Sequence, residues 1–228
     1  MASLIIAGCS AHGRVVLDIF RASGCKAIAG WIDDAEHLQG TEVEGLPVLG
    51  RISDLSGLRA RLGPLELLAA IGDNYTRVQV SRRILDQVPD CHLAVARHPS
   101  AIIAPGCVLG HGSVVAAGAI IGPGVKIGAG CIINTRASVD HDGIMKDFSS
   151  LAPGVVLGGD AVIGEGAAVG IGAIVANGVE IGAWSVIGAG AVVVRSIPDD
   201  VIAYGVPARV IRARQPAEPY LTAHLRQR

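Results

Sequence analysis

The residues best equipped for chemistry are Asp140-His141-Asp142. An imidazole changes charge near neutral pH, and a flanking carboxylate fixes its tautomer and stabilises the imidazolium that forms when it takes a proton. His141 is thus a candidate general base; the alternative is a solvated histidine on a turn. A second candidate is the loop Gly8-Cys9-Ser10-Ala11-His12-Gly13. Its glycines let backbone approach a ligand, and free N–H groups at the start of a following helix favour phosphate oxygens. No Lys-Ser/Thr follows Gly13 and there is no GxGxxG, so neither a Walker loop nor a nicotinamide site is indicated. Asp33-Asp34 lies about twenty residues on, where an acidic side chain accepts hydrogen bonds from a ribose or a base edge. A tight turn alone is the alternative for the glycines.

The element that positions His141 is a repeat. From Ile103 to Val193 an aliphatic residue recurs at every sixth position, sixteen times in one register. The slot two residues earlier is restricted, mostly to small residues. Neither a helix at period 3.6 nor a strand at period 2 produces this pattern, which is that of a parallel β-helix. Three units make an 18-residue triangular coil with the aliphatic pointing inward. Sixteen units give about five coils and a rod roughly 25 Å tall, at ~4.8 Å per coil. The slot after each aliphatic is Gly or Ala in twelve of sixteen units, and the exceptions are Asn134, Asp140, Lys146 and the terminal Val194. Three consecutive departures mark a local demand that outweighs regularity. His141 lies in that stretch, two residues past inward Val139, near a corner and pointing outward. Its neighbours one coil away, Pro123 and Gly159, leave room for the ring.

Residues 1–97 lack the period and read as a βαβ domain. Strands are expected at 3–7, 26–32, near 46–49, 65–71 and 92–95, and helices at 14–23, 52–62 and 75–88. The rod then runs over 98–212, with a tail at 213–228. That tail reads as a short capping helix without evident chemistry.

Composition narrows the classes. Net charge is −1 and aromatics are 3%, so no basic, aromatic-laced surface for nucleic acid is present. Apolar runs are all interrupted well before the ~20 residues that span a bilayer. The five cysteines are odd in number and form no CxxC pair, as in reduced thiols of a cytoplasmic protein. The stretch Leu4–Cys9 resembles a lipoprotein box, but it lacks a basic n-region and its apolar part is too short. His111 and His141 are thirty residues apart and fall on different faces, and His37, His92, His98 and His224 lack a supporting pattern, so no metal is expected.

Six stretches together resemble the nucleotide-sugar acetyltransferases of the left-handed β-helix (hexapeptide-repeat) superfamily. They are Gly8–Val15 (GCSAHGRV), Trp31–Asp34 (WIDD), Ile71–Arg77 (IGDNYTR), His98–Pro105 (HPSAIIAP), Asn134–Asp142 (NTRASVDHD) and Tyr204–Arg209 (YGVPAR). The similarity is greatest to members that acetylate the C4 amine of a nucleotide-linked 4-amino-4,6-dideoxyhexose, of the bacillosamine and perosamine type. The resemblance implies a left-handed rod, a homotrimer, acetyl-CoA as co-substrate and a GDP- or UDP-linked amino sugar as acceptor. It makes His141 the base and Asp142 its acidic partner. Gly8, Ser10, Ala11, His12 and Asn74 fall to the nucleotide sugar, and Asp33 and Asp34 to the nucleotide base. Asn134 lines the acetyl site, Ile171 and Ala189 hold the pantetheine arm, and Pro207 and Arg209 lie near the adenine end. Ser150 stands where some relatives place a histidine that touches acetyl-CoA, and Asp142 where some have Glu. A sister branch resembles sialic acid O-acetyltransferases. That activity and a non-catalytic sugar-nucleotide-binding protein are the competing readings.

Overall fold

In the computed structural model, which describes residues 2–25 and 27–221, the six-residue period becomes a prism with three parallel ladders. The first face carries Ala96–Arg97, Val114–Val115, Ile132–Ile133, Ser150–Leu151, Ala168–Val169 and Val186–Ile187. The second carries Ile102–Ile103, Ile120–Ile121, Ser138–Val139, Val156–Leu157, Ile174–Val175 and Val192–Val193. The third runs from Val108–Leu109 to Glu180–Ile181. Partners are 18 residues apart in every ladder, as in Ile121↔Val139 and Leu157↔Val175. The ladder begins at Ala96–Arg97, which pairs with Val114–Val115.

The period works because each aliphatic enters the prism. From Val115 to Val193 every one is at most 3% exposed, and only Ile103 and Leu109, in the first coil, are partly open. Each such burial contributes about 1.5–3 kcal/mol. The small slot fills the space left at the corners. Where it is polar, the hydroxyl donates to a carbonyl, as Ser113 does to Gly128 (2.9 Å) and Ser185 to Pro198 (2.7 Å).

The N-terminal domain is a four-stranded parallel sheet in the order Ile28–Ile32, Ser3–Ala7, Leu65–Ala69, His92–Leu93. Helices α1 (Ala11–Ala22), α2 (Leu55–Leu62) and α3 (Asn74–Gln87) cover it. The expected strand at 46–49 is shorter, Leu46–Pro47, and forms a small hairpin with Glu42–Val43. The domain docks on the first face of the rod, where Val114, Ala116 and Ile132 join one apolar cluster with Val16, Leu17, Phe20 and Trp31. The same face is closed by an antiparallel hairpin, Val201–Gly205 with Ala208–Ala213, whose first strand pairs with Val186–Ile187. Beyond it residues 214–221 run without helix, so the expected capping helix is absent there, and residues 222–228 lie outside the described part. No described helix is long and apolar enough to cross a membrane.

Candidate active site

The loop Gly8–Gly13 leaves the carboxyl end of a central strand, as ligand loops in parallel sheets do. Gly8 has φ +108, and a side chain there would strike Ile71 and the Ala70 carbonyl. Ser10 caps α1 by accepting from the Gly13 amide (3.3 Å) and donates to the Ala70 carbonyl (3.3 Å). Asp33 braces the same loop: its carboxylate accepts from the Cys9 amide (2.8 Å) and the Ala35 amide (2.9 Å). Asp34 pairs with Arg83 (2.7 Å) and accepts from the Ile52 amide (3.1 Å), so its carboxyl is held below its ordinary range despite partial burial. Both carboxylates thus have protein partners, and at least part of their work is to shape the loop.

The loop faces the upper part of the rod's first face across a cleft of about 760 Å³. Ser10, Ala11 and His12 line one wall, and Asn134, Ser150, Ile171 and Ala189 line the other. Seven predicted residues therefore meet in one cavity. Burial pushes the His12 imidazole down to about 4, so it is neutral at physiological pH. Its Nε2 is shielded from solvent and has no hydrogen-bond partner among the described residues. Asn134 turns its amide oxygen to the Thr135 amide (2.8 Å). Pro207 and Arg209 lie outside the cleft, on the terminal hairpin that extends the face past Val186–Ile187.

Asn74, which the resemblance gives to the nucleotide sugar, stands apart from these residues. It is 1% exposed and does not line the cleft. Its Nδ2 donates to the Gly166 and Ala167 carbonyls (3.1 and 3.0 Å), and its Oδ1 accepts from Arg77 (2.8 Å). With both Nδ2 hydrogens donated and Oδ1 held by Arg77, the side chain joins the domains.

His141 sits at the corner between the second and third faces. Its Nδ1 is 3.0 Å from Asp142 Oδ2. A carboxylate can only accept, so Nδ1 carries the proton and Nε2 presents its lone pair outward. The hydrogen bond to Asp142 raises the imidazole pKa above 6.5, and the charges of Asp140, Asp142 and Asp160 add to it. Asp140 shapes the corner, accepting from the His141 amide (2.8 Å). The ring lies against Gly159, where any Cβ would overlap it. Of the three departures in the repeat, Asn134 is in the cleft and Asp140 holds the histidine corner. Lys146 makes a surface ion pair with Glu180 (3.8 Å).

His141 and Asp142 do not line the cleft of their own chain. The cleft opens along the corner between the first and second faces, at Asn134, Ile171 and Ala189. The histidine occupies the next corner. Between them lies the second face, with Ile102, Ile120, Val156 and Ile174 exposed in a stripe.

Three parts of the site escaped the sequence reading. Arg77, 1% exposed, donates to the Gly130 (2.7 Å), Ile71 (2.9 Å), Gly72 (3.2 Å) and Phe148 (2.9 Å) carbonyls. Only its place in the IGDNYTR stretch hinted at it. Tyr220 and Leu221 of the tail also line the cleft, and no pattern marked them. Among the described residues no group of three or more His, Cys, Asp or Glu is arranged to hold a metal ion.

Comparison with known proteins adds to this geometry. Residues 3–84 match the PglD N-terminal domain, and residues 98–139 and 160–195 match the bacterial transferase hexapeptide (six repeats). The chain matches none of the curated proteins compared with it. PerB from Caulobacter crescentus, solved with CoA and GDP-perosamine, is 40% identical with a TM-score of 0.86, over 93% of this chain and 98% of that one. A histidine-to-alanine variant of the GDP-perosamine N-acetyl transferase of that organism, 39% identical, was also solved with both molecules. The acetyltransferase domain of PglB from Neisseria gonorrhoeae, in complex with acetyl coenzyme A, is 33% identical with a TM-score of 0.81, over 92% of this chain and 98% of that one.

Proposed function

The chain belongs to the hexapeptide-repeat acyltransferases that carry a PglD-type N-terminal domain, and from that premise we propose that it moves the acetyl group of acetyl-CoA onto the amine of a nucleotide-linked amino sugar. The acceptor we infer is a GDP- or UDP-linked 4-amino-4,6-dideoxyhexose, acetylated at C4. The observation that carries this reading is a single cleft with two kinds of wall. Ser10–His12, at a helix start suited to an anionic ligand, face rod coils at Ile171 and Ala189 suited to an extended pantetheine arm.

In the proposed reaction His141 Nε2 takes a proton from the sugar ammonium, directly or through water, and Asp142 stabilises the imidazolium. The freed amine attacks the thioester carbonyl, the C–S bond breaks, and the thiolate leaves as CoA after gaining a proton. No cysteine lines the cleft, and burial holds Cys9 at about 12 and Cys131 at about 11, which favours direct transfer over an acyl-enzyme. Holding both reactants in one cleft contributes as much as ~7–11 kcal/mol through proximity.

The base reaches the cleft if the chain is a homotrimer. Turning the apolar stripe of the second face toward a three-fold axis sets the cleft corner of one copy against the His141 corner of the next. Such a head-to-tail contact closes into a ring. We place the enzyme in the cytoplasm, where five free thiols stay reduced.

The test is thiol release from acetyl-CoA against GDP- and UDP-linked 4-amino-4,6-dideoxyhexoses and free sialic acid. Turnover with an amino sugar nucleotide is expected, together with a ~10²–10⁴-fold loss in folded His141→Ala. Turnover with sialic acid alone would replace this reading with O-acetyl transfer, and undiminished turnover in His141→Ala would remove the assignment of the base.

A further inference from the structure

The tail is built into the molecule with more care than a loose end needs. Its anchor is Arg214, 5% exposed, whose backbone amide donates to the Asp200 carbonyl (2.8 Å) and whose guanidinium donates to the Trp184 and Pro216 carbonyls. The guanidinium also lies 5.9 Å from the Tyr220 ring centre. Arg212 and Glu218 make an ion pair that folds the segment back on itself.

From that anchor the chain runs into the cleft. The Tyr220 hydroxyl donates to the Gly72 carbonyl (3.4 Å) and accepts from the Asn74 amide (3.3 Å), and Ser150 of the rod lines the same cleft. One phenol thus ties the tail to the N-terminal domain inside a cleft whose other wall is the rod. Asn74 itself reaches Gly166 and Ala167, at the corner opposite the cleft mouth. Tyr220 therefore stands on that side of the cleft, away from the corner of Asn134, Ile171 and Ala189. Beside it, Leu221 packs near Gly72, as does the Cβ of His12. The wall formed by Tyr220 and Leu221 is accordingly next to the Ser10–His12 loop, and the pantetheine coils at Ile171 and Ala189 lie toward the mouth.

We propose that the segment Arg214–Leu221 completes the acceptor subsite, with Tyr220 as a positioning residue that closes its inner end and sets where the acceptor sugar stops relative to the thioester. This rests on the acetyltransferase reading above. Removing the ring lets the sugar slide inward, away from the reacting carbon, and frees the Gly72–Asn74 loop from the tail. The donor arm keeps its contacts.

The test uses full-length Tyr220→Ala and Tyr220→Phe with acetyl-CoA and the GDP-linked 4-amino-4,6-dideoxyhexose, or its UDP counterpart if only that one reacts. In Tyr220→Ala the acceptor KM rises at least about tenfold, the KM for acetyl-CoA stays within about twofold, and Tm and oligomeric state are kept. Tyr220→Phe retains the wall and restores most of the acceptor KM. An unchanged acceptor KM in Tyr220→Ala, or an equal rise for both substrates, overturns the proposal. A variant that fails to fold is replaced by Leu221→Ala, which must show the same split in KM. Calorimetric binding of acetyl-CoA to the wild type separates the two levels: no binding sinks the acetyltransferase reading itself, whereas binding with no acceptor effect sinks only the role of the tail.

Discussion

Gly159→Ala changes no residue of the proposed chemistry, yet it should nearly silence the enzyme. In the structure the His141 ring rests on Gly159, and an added Cβ would overlap its Cε1, Nε2 and Cδ2 atoms. Ordinary carbon contacts need about 3.5–4.0 Å, so the imidazole must move by about 1 Å. Such a shift stretches the 3.0 Å bond to Asp142 past hydrogen-bonding range and displaces the base from the amine. A misplacement of ~1 Å costs about 100-fold in rate, equivalent to about 2.7 kcal/mol of barrier. The backbone has no reason to object, because Gly159 is not among the glycines with positive φ. Folding and Tm should therefore be close to wild type, since Gly→Ala at a compatible site is neutral or mildly stabilising. Thiol-release kinetics with the reactive amino sugar nucleotide would read kcat. A rate within about threefold of wild type in the folded variant would show that the ring position seen here is not the working one.

Three further outcomes follow from the charges and burial. The Asp142 hydrogen bond raises the His141 pKa, so kcat/KM should climb with pH along a limb centred above 6.5. Asp142→Asn should move that limb toward 6.5 and lower the plateau at least about tenfold; an unmoved limb would show that Asp142 does not tune the base. His12 is held at about 4 when folded and returns to 6.5 when unfolded, so the unfolded chain binds the proton first. Its contribution is complete above pH 6.5 and is lost as pH falls toward 4, by about 2 kcal/mol at pH 5. Urea unfolding at pH 7 and pH 5 should show that loss in wild type and not in His12→Gln, and equal losses would count against the buried neutral imidazole. Arg77→Ala leaves carbonyls from both domains unpaired and should cost about 1–3 kcal/mol, with Arg77→Lys recovering little because an ammonium cannot span the fork. A loss under about 1 kcal/mol would mean that the domain joint does not depend on it.

How much of this was legible in the sequence depends on how local each cause is. The rod could be read almost residue by residue, since one six-residue unit makes one strand and one corner, and the same burial demand recurs in every unit. His141 was legible for the same reason: a strict pattern makes its own violations visible, and the space over Gly159 follows from the 18-residue coil. The loop Ser10–His12 was readable from the strand–loop–helix grammar of a parallel sheet. What the pattern could not give was the assignment of polar side chains whose partners are backbone carbonyls far along the chain. The resemblance gives Asn74 to the nucleotide sugar, but in the structure its amide is taken by Gly166 and Ala167, 92 and 93 residues away. Asp33 and Asp34 stand where a nucleotide is expected, and both also accept backbone amides of their own domain.

Tyr220 is the extreme case, reaching Gly72 across 148 residues. A carbonyl is offered by every residue type, so no residue at the receiving end announces the contact. The donors that bridge the domains are therefore silent in sequence, while the groups proposed to react are not. In the proposed reaction the acceptor loop sits on one domain and the thioester arm on the other, so those silent donors would decide the distance between amine and carbonyl. The reactive pair and the joint that aligns it are thus separate targets. Substitution at His141 should abolish chemistry in an otherwise unchanged protein, whereas substitution at Arg77 or Tyr220 should blur the alignment with the base still intact.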